Sequence, residues 1–120
     1  MTEVSIYHNP RCSKSRQTLA LLEENNIQHN VVLYLESPPS AAELKSILRK
    51  LGMTPRELMR KGEDVYKEKN LGNGDLSDDE LIEAMVASPI LIERPIVVSG
   101  KAARIGRPPE QVLEIVGQGN

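Results

Sequence analysis

A chain of 120 residues fits one domain on the usual scale of roughly 150 residues per domain, and a 39% hydrophobic content can build a core without a metal or disulfide. Three tyrosines with no Phe or Trp remove the stacking platforms that single-stranded nucleic acid needs, and a net charge of -2 offers no global attraction to a polyanion. The single cysteine excludes an internal disulfide and a multi-thiolate zinc site and suits a reducing compartment. With no signal-peptide pattern and no membrane-length apolar run, the expectation is a cytoplasmic monomer that binds neither nucleic acid nor membrane.

Residues 3 to 8 alternate around Val4, Ile6 and His8 and stop at Asn9-Pro10, as a strand entering a turn does. From Ser13 to Asn25 there is neither Gly nor Pro, and Leu19 and Leu22 recur at helical spacing, with Ala20 and Leu21 widening the stripe. Cys12 therefore falls at or just before a helix N-terminus. The run Val31-Val32-Leu33-Tyr34 then completes a βαβ unit, whose crossover makes the two strands parallel. That puts the Cys12 turn at the carboxyl end of the first strand, where open α/β sheets bind ligands.

Capping chemistry marks three helix starts in the middle of the chain: Ser40 with Glu43, Thr54 with Glu57 and Ser77 with Glu80. The first helix carries Leu44, Ile47, Leu48 and Leu51 on one face and ends at Gly52; Pro55 suits the first turn of the second; the third stops near Ala87, before Pro89. Ile96-Val97-Val98, the turn Ser99-Gly100 and Ala102 to Ile105 read as an antiparallel hairpin. Pro108 and Pro109 open a last amphipathic helix with Val112, Leu113, Ile115 and Val116, ended by Gly117 ahead of a loose tail, 117 to 120. The order βαβ, helical block, ββα predicts an α/β, thioredoxin-like (glutaredoxin-like) mixed sheet in a single domain, 1 to 120, with a helical insertion at about 36 to 88.

A lone cysteine is commonly a small buried hydrophobe, but Cys12 meets the unpaired N–H groups of a helix start and is flanked by Arg11, Lys14 and Arg16, conditions that stabilise a thiolate. In Cys12-Ser13-Lys14-Ser15 a hydroxyl stands where a dithiol enzyme keeps its resolving cysteine. Any redox cycle must then draw on an outside thiol such as glutathione or a glutaredoxin. His8 can either polarise the thiol or serve as a structural hydrogen-bonder. Arg60 says little by itself. Arg94-Pro95 and Gly106-Arg107-Pro108 each set a guanidinium beside proline-restrained backbone, where a planar fork can be aimed at a tetrahedral oxyanion or simply face solvent. A phosphatase loop of C-x(5)-R is disfavoured, because position 18 is Thr.

Five blocks in order, YHNPRCSKSR (7 to 16), LYLESPP (33 to 39), ELMRK (57 to 61), SPILIERPIVV (88 to 98) and IGRPPEQVLEIV (105 to 116), resemble the glutaredoxin-coupled arsenate reductases over nearly the whole chain. The resemblance implies Cys12 as nucleophile, His8 and Ser15 as residues that tune it, Arg60, Arg94 and Arg107 as oxyanion ligands, and a cis Arg94-Pro95 bond. It implies no bound cofactor and no metal, with glutathione as co-substrate: the Cys12 thiolate attacks arsenate, glutathione reduces the adduct, and glutaredoxin removes glutathione as arsenite leaves. Two features depart from the arsenic-resistance members: the chain ends soon after the last expected helix, where they carry a longer tail, and Arg11 and Lys14 make the thiol loop more basic. Redox-sensing regulators that bind RNA polymerase share the fold and the Arg-Pro block, but they generally carry C-x-x-C and lack the third arginine, so Ser15 and Arg107 favour the enzyme. A glutathione-linked thiol transferase acting on another substrate would use the same residues.

Overall fold

The computed structural model describes residues 3 to 116. They separate into two compact units, one built from the chain up to Ser37 together with the segment from Arg94 onward, the other from Pro38 to Glu93.

The first unit holds a four-stranded mixed sheet in the order β2-β1-β3-β4. Strand β1 (Val4–Tyr7) runs parallel to β2 (Asn30–Val32), with Ile6 opposite Val31, and antiparallel to β3 (Ile96–Ser99), with Ile6 opposite Val97. Strand β4 (Ala102–Ile105) pairs antiparallel with β3 through the expected hairpin, Gly100 turning it at φ 59°. The parallel pair follows from the helix between its strands and the antiparallel pair from the tight turn between its own. Residues of alternating parity, Val4, Ile6 and Val97, pack with Leu22, Ile27, Val112 and Val116 into one core, against which Leu19, Leu113 and Ile115 lie partly buried.

Helix α1 spans Ser13–Glu24, and Cys12 is its N-cap, with extended backbone. Of the expected stripe, Leu22 is fully buried and Leu19 packs partly buried against the core, while Ala20 and Leu21 stay half-buried; the rest of the buried face is Ser15 and Thr18, hydroxyls that find partners inside. The helix stops where Asn26 enters left-handed backbone at φ 57° and Ile27 N–H returns to Leu22 O at 3.0 Å.

Strand β2 is shorter at its end than the Val31 to Tyr34 run suggested. Glu36 and Ser37 both donate their N–H to Leu33 O at 2.9 Å, so the chain turns at Leu33 and buries Tyr34 instead of continuing along the edge. The last helix is also different: Pro109–Glu114 forms a 3-10 turn, closed by Gln111 N–H to Pro108 O at 3.0 Å, and still delivers Val112 to the core. Gly117 and the tail lie outside the described residues.

In the second unit the capping signals mark real helix starts. Helix α2 (Ala41–Leu51) begins with Ser40 accepting the Glu43 N–H, buries Leu44, Ile47 and Leu48, and ends at Gly52, whose φ of 70° is left-handed. Helices α3 (Pro55–Leu58) and α5 (Asp78–Ala87) open with the full reciprocal boxes of Thr54 with Glu57 and Ser77 with Glu80. Helix α5 buries Leu81, Ile82 and Met85 and packs against α2, α3 and the 3-10 turn Pro89–Leu91.

One helix escaped the reading. Helix α4 (Asp64–Glu68) has no side-chain cap and no buried residue, so neither capping nor periodicity marks it. It is held from outside: Arg56 donates to Tyr66 Oη at 3.3 Å, Leu71 O at 2.9 Å and Asn73 O at 2.9 Å.

Candidate active site

The βα turn after β1 positions the thiol. His8 N–H donates to Val32 O at 2.9 Å, carrying the parallel ladder one residue past β1, and Cys12 N–H then donates to Asn9 O at 3.0 Å, closing the turn. Arg11 N–H donates to Asn9 Oδ1 at 3.0 Å and tightens the same bend. Cys12 is thereby delivered to the N-terminus of α1 with a free thiol and little exposure.

Burial alone would push the Cys12 thiol up. The backbone N–H groups of Ser15 and Lys14 and the positive charges of Arg94 and Arg107 more than offset it, so the pKa falls below its ordinary value. Arg107 touches the sulfur directly: its Nη2 donates to Cys12 Sγ at 3.5 Å while its Nε donates to Arg94 O at 2.8 Å. The cations that act on the sulfur therefore come from the far end of the chain. Arg11 and Arg16, its sequence neighbours, are exposed; Arg16 reaches back to Pro10 O at 2.8 Å and Lys14 works through its backbone.

Ser15 is fully buried, and its hydroxyl is engaged by the turn before the helix. It stands 2.6 Å from His8 Nδ1 and accepts the Asn9 N–H at 3.0 Å. Burial, with the nearby Arg16 charge, holds His8 below the usual histidine range. The Ser15 side chain thus joins strand end to helix start, whereas its backbone N–H serves the thiol.

Arg94 sits directly before Pro95, and the Arg94-Pro95 peptide is cis, as the resemblance led one to expect; Arg107-Pro108 is cis as well. Arg60 belongs to the second unit. There its N–H donates to Leu91 O at 2.7 Å beside the Met59 to Ile92 bridge, and its guanidinium pairs with Glu63 at 2.9 Å.

A surface recess of about 740 Å³ is lined by Glu3, Val4, Glu23, Asn26, Ile27, Gln28, His29 and Asn30. It flanks the start of β1, and the thiol follows the end of that strand, so this recess and the reactive atom do not coincide. Among the described residues no cluster of three or more His, Cys, Asp or Glu could hold a metal, and no helix is long and apolar enough to cross a membrane. Two residues that sequence reasoning missed are Thr18 and Gly106, buried against each other beside the site.

Comparison with known proteins adds a family. The model of the ArsC family matches residues 7–115. Protein YfgD of Escherichia coli is 64% identical over 96% of this chain and 98% of its own length, and the arsenate reductase of Haemophilus influenzae is 55% identical over 94% and 98%. Among solved structures, an arsenate reductase from Vibrio cholerae superimposes with a TM-score of 0.92 at 58% identity, covering 95% of this chain and 98% of that one. The fold is the α/β, thioredoxin-like class expected. By family model, by relatives aligned nearly end to end and by a sheet that ends in a cysteine at a helix N-terminus, the chain belongs to the ArsC family, whose members here include proteins named arsenate reductase.

Proposed function

We propose that this protein reduces arsenate to arsenite with Cys12 as nucleophile and glutathione and glutaredoxin as electron donors. The observation that carries the reading is the Cys12 sulfur at the α1 N-terminus with the Arg107 guanidinium 3.5 Å away. An anion approaching a thiolate is repelled, and fixed N–H dipoles with arginine charge are what let the two meet.

The cycle balances as follows. The Cys12 thiolate displaces an oxygen of arsenate, which leaves as water after protonation, and a sulfur–arsenic(V) bond forms. Glutathione displaces a second oxygen through its own sulfur. A glutaredoxin thiolate attacks that glutathionyl sulfur, and the arsenic–sulfur pair stays on arsenic, which becomes As(III). The two electrons have come from two thiols, now joined as a mixed disulfide. Water then cleaves the Cys12–arsenic bond and releases arsenite. An outside thiol is required because no second cysteine exists in the chain. The reading places the protein in a reducing compartment, the cytoplasm, as a monomer.

Arg94 and Arg107 serve as oxyanion ligands beside the thiol, and the resemblance gives Arg60 a third such role. His8 and Ser15 hold the turn that presents Cys12. The test is arsenate-dependent thiol oxidation with glutathione and a panel of glutaredoxins. Cys12→Ser is expected to abolish turnover and Ser15→Ala to leave it measurable, since only the first removes a bond-forming atom. Near-normal turnover in Cys12→Ser would sink the mechanism. Full activity on glutathione mixed disulfides with none on arsenate would favour a thiol transferase.

A further inference from the structure

Gly106 has no room for a side chain. A Cβ there would run into Thr18 Oγ1, stand 2.9 Å from Pro95 Cγ and reach Thr18 Cγ2 at 3.1 Å. Neither neighbour yields easily. Thr18 is fully buried on α1, and its hydroxyl donates to Lys14 O at 2.8 Å, within the same first turn that presents N–H groups to the thiol. Pro95 is a ring in the β3 approach, and its carbonyl accepts the Gly106 N–H at 2.9 Å. The loop is thus drawn against Pro95 by its backbone and seated on Thr18 by close contact.

Arg107 is the next residue. Its two contacts, Nε to Arg94 O and Nη2 to Cys12 Sγ, depend on how closely this loop approaches α1, and the longer of them, at 3.5 Å, has little slack. We propose that Gly106 seated on Thr18 is a positioning device that sets the distance between the Arg107 guanidinium and the Cys12 sulfur. The absence of a side chain at 106 lets the loop touch the helix, and the threonine at 18 provides the surface it touches. Position 18, which denies the chain a phosphatase loop, holds the arginine loop in place instead.

The inference rests on reading Cys12 as a nucleophile and Arg107 as its partner, but its test uses no arsenate. The rate of Cys12 alkylation by iodoacetamide, a neutral reagent, is followed against pH for Gly106→Ala and for Thr18→Val, which puts a methyl where the hydroxyl meets Gly106. Each is made with and without Arg107→Ala, and circular dichroism checks that each protein is folded. Arg107→Ala is expected to raise the midpoint, because it removes a positive charge beside the sulfur. Gly106→Ala and Thr18→Val should raise it in the same direction and add little when Arg107 is already absent, which a general loss of stability would not do. An unchanged midpoint in both folded variants, or shifts that add fully to that of Arg107→Ala, overturns the device and leaves the thiol chemistry standing. If Gly106→Ala does not fold, Thr18→Val decides the matter alone. No shift in Arg107→Ala overturns the inference together with the role of Arg107 at the thiol, whereas arsenate turnover judges the proposed activity separately.

Discussion

Cys12 owes its reactivity to groups that counter its burial. Its alkylation midpoint is expected below that of a free thiol, about 8.5, and a value at or above the latter would remove the physical basis for its role. The lowered pKa also has a sign for stability. Between the folded and unfolded values the unfolded chain binds more protons, so stability rises with pH across that window, and Cys12→Ser should flatten the rise. His8 behaves in the same direction for a different reason: burial disfavours its charged form, so its contribution is complete above the unfolded value of 6.5 and is lost as pH falls below it. NMR titration of the imidazole should give a midpoint under 6.5.

At the scale of elements, the second unit depends on how its short helices are ended and pinned. Gly52 closes α2 in left-handed backbone with open space around it, so Gly52→Ala meets no clash and tests the backbone alone. Urea unfolding should show a loss of about 1 kcal/mol. Arg56 ties α3 to the chain around α4 through two carbonyls and a tyrosine hydroxyl. Arg56→Ala removes these contacts and should speed amide exchange across residues 66 to 73 by roughly tenfold or more, the equivalent of one charge-assisted hydrogen bond. Unchanged exchange there would mean that α4 is held by its own turn.

For the whole molecule, the arginines separate an oxyanion enzyme from a generic thiol transferase. Arg60→Ala, Arg94→Ala and Arg107→Ala should each lower kcat/KM for arsenate by roughly ten- to a hundredfold, the range for one charge-assisted contact of about 1.5 to 3 kcal/mol. Lysine should restore charge without the two-pronged geometry and rescue only in part. Alkylation by a neutral reagent should fall much less, because it needs the thiolate and no anion site. Parallel losses in both assays would mean that the arginines act through the thiol or the fold alone, and no loss in either would make them surface residues.

The βαβ order, the hairpin, the capped helix starts and the placing of Cys12 at a helix N-terminus could all be read from the chain, because each rests on neighbours a few residues apart: Ser77 with Glu80, Pro55 in a first turn, Ser99-Gly100 between two β runs. Features that depend on distant partners could not. The flanking Arg11, Lys14 and Arg16 looked like the source of the thiolate, yet the charges that reach the sulfur belong to Arg94 and Arg107, brought there by the pairing of β3 with β1 and β4 with β3. Helix α4 is held by Arg56, the run after Val32 folds away from the edge, and the last helix tightens into a 3-10 turn. Gly106 and Thr18 carry no local signal at all, since steric contact between residues 88 positions apart exists only once the sheet has formed. Periodicity and capping are local energies that the sequence determines by itself. The electrostatics of the thiol are a sum over space, and only the tertiary structure decides which charges enter it.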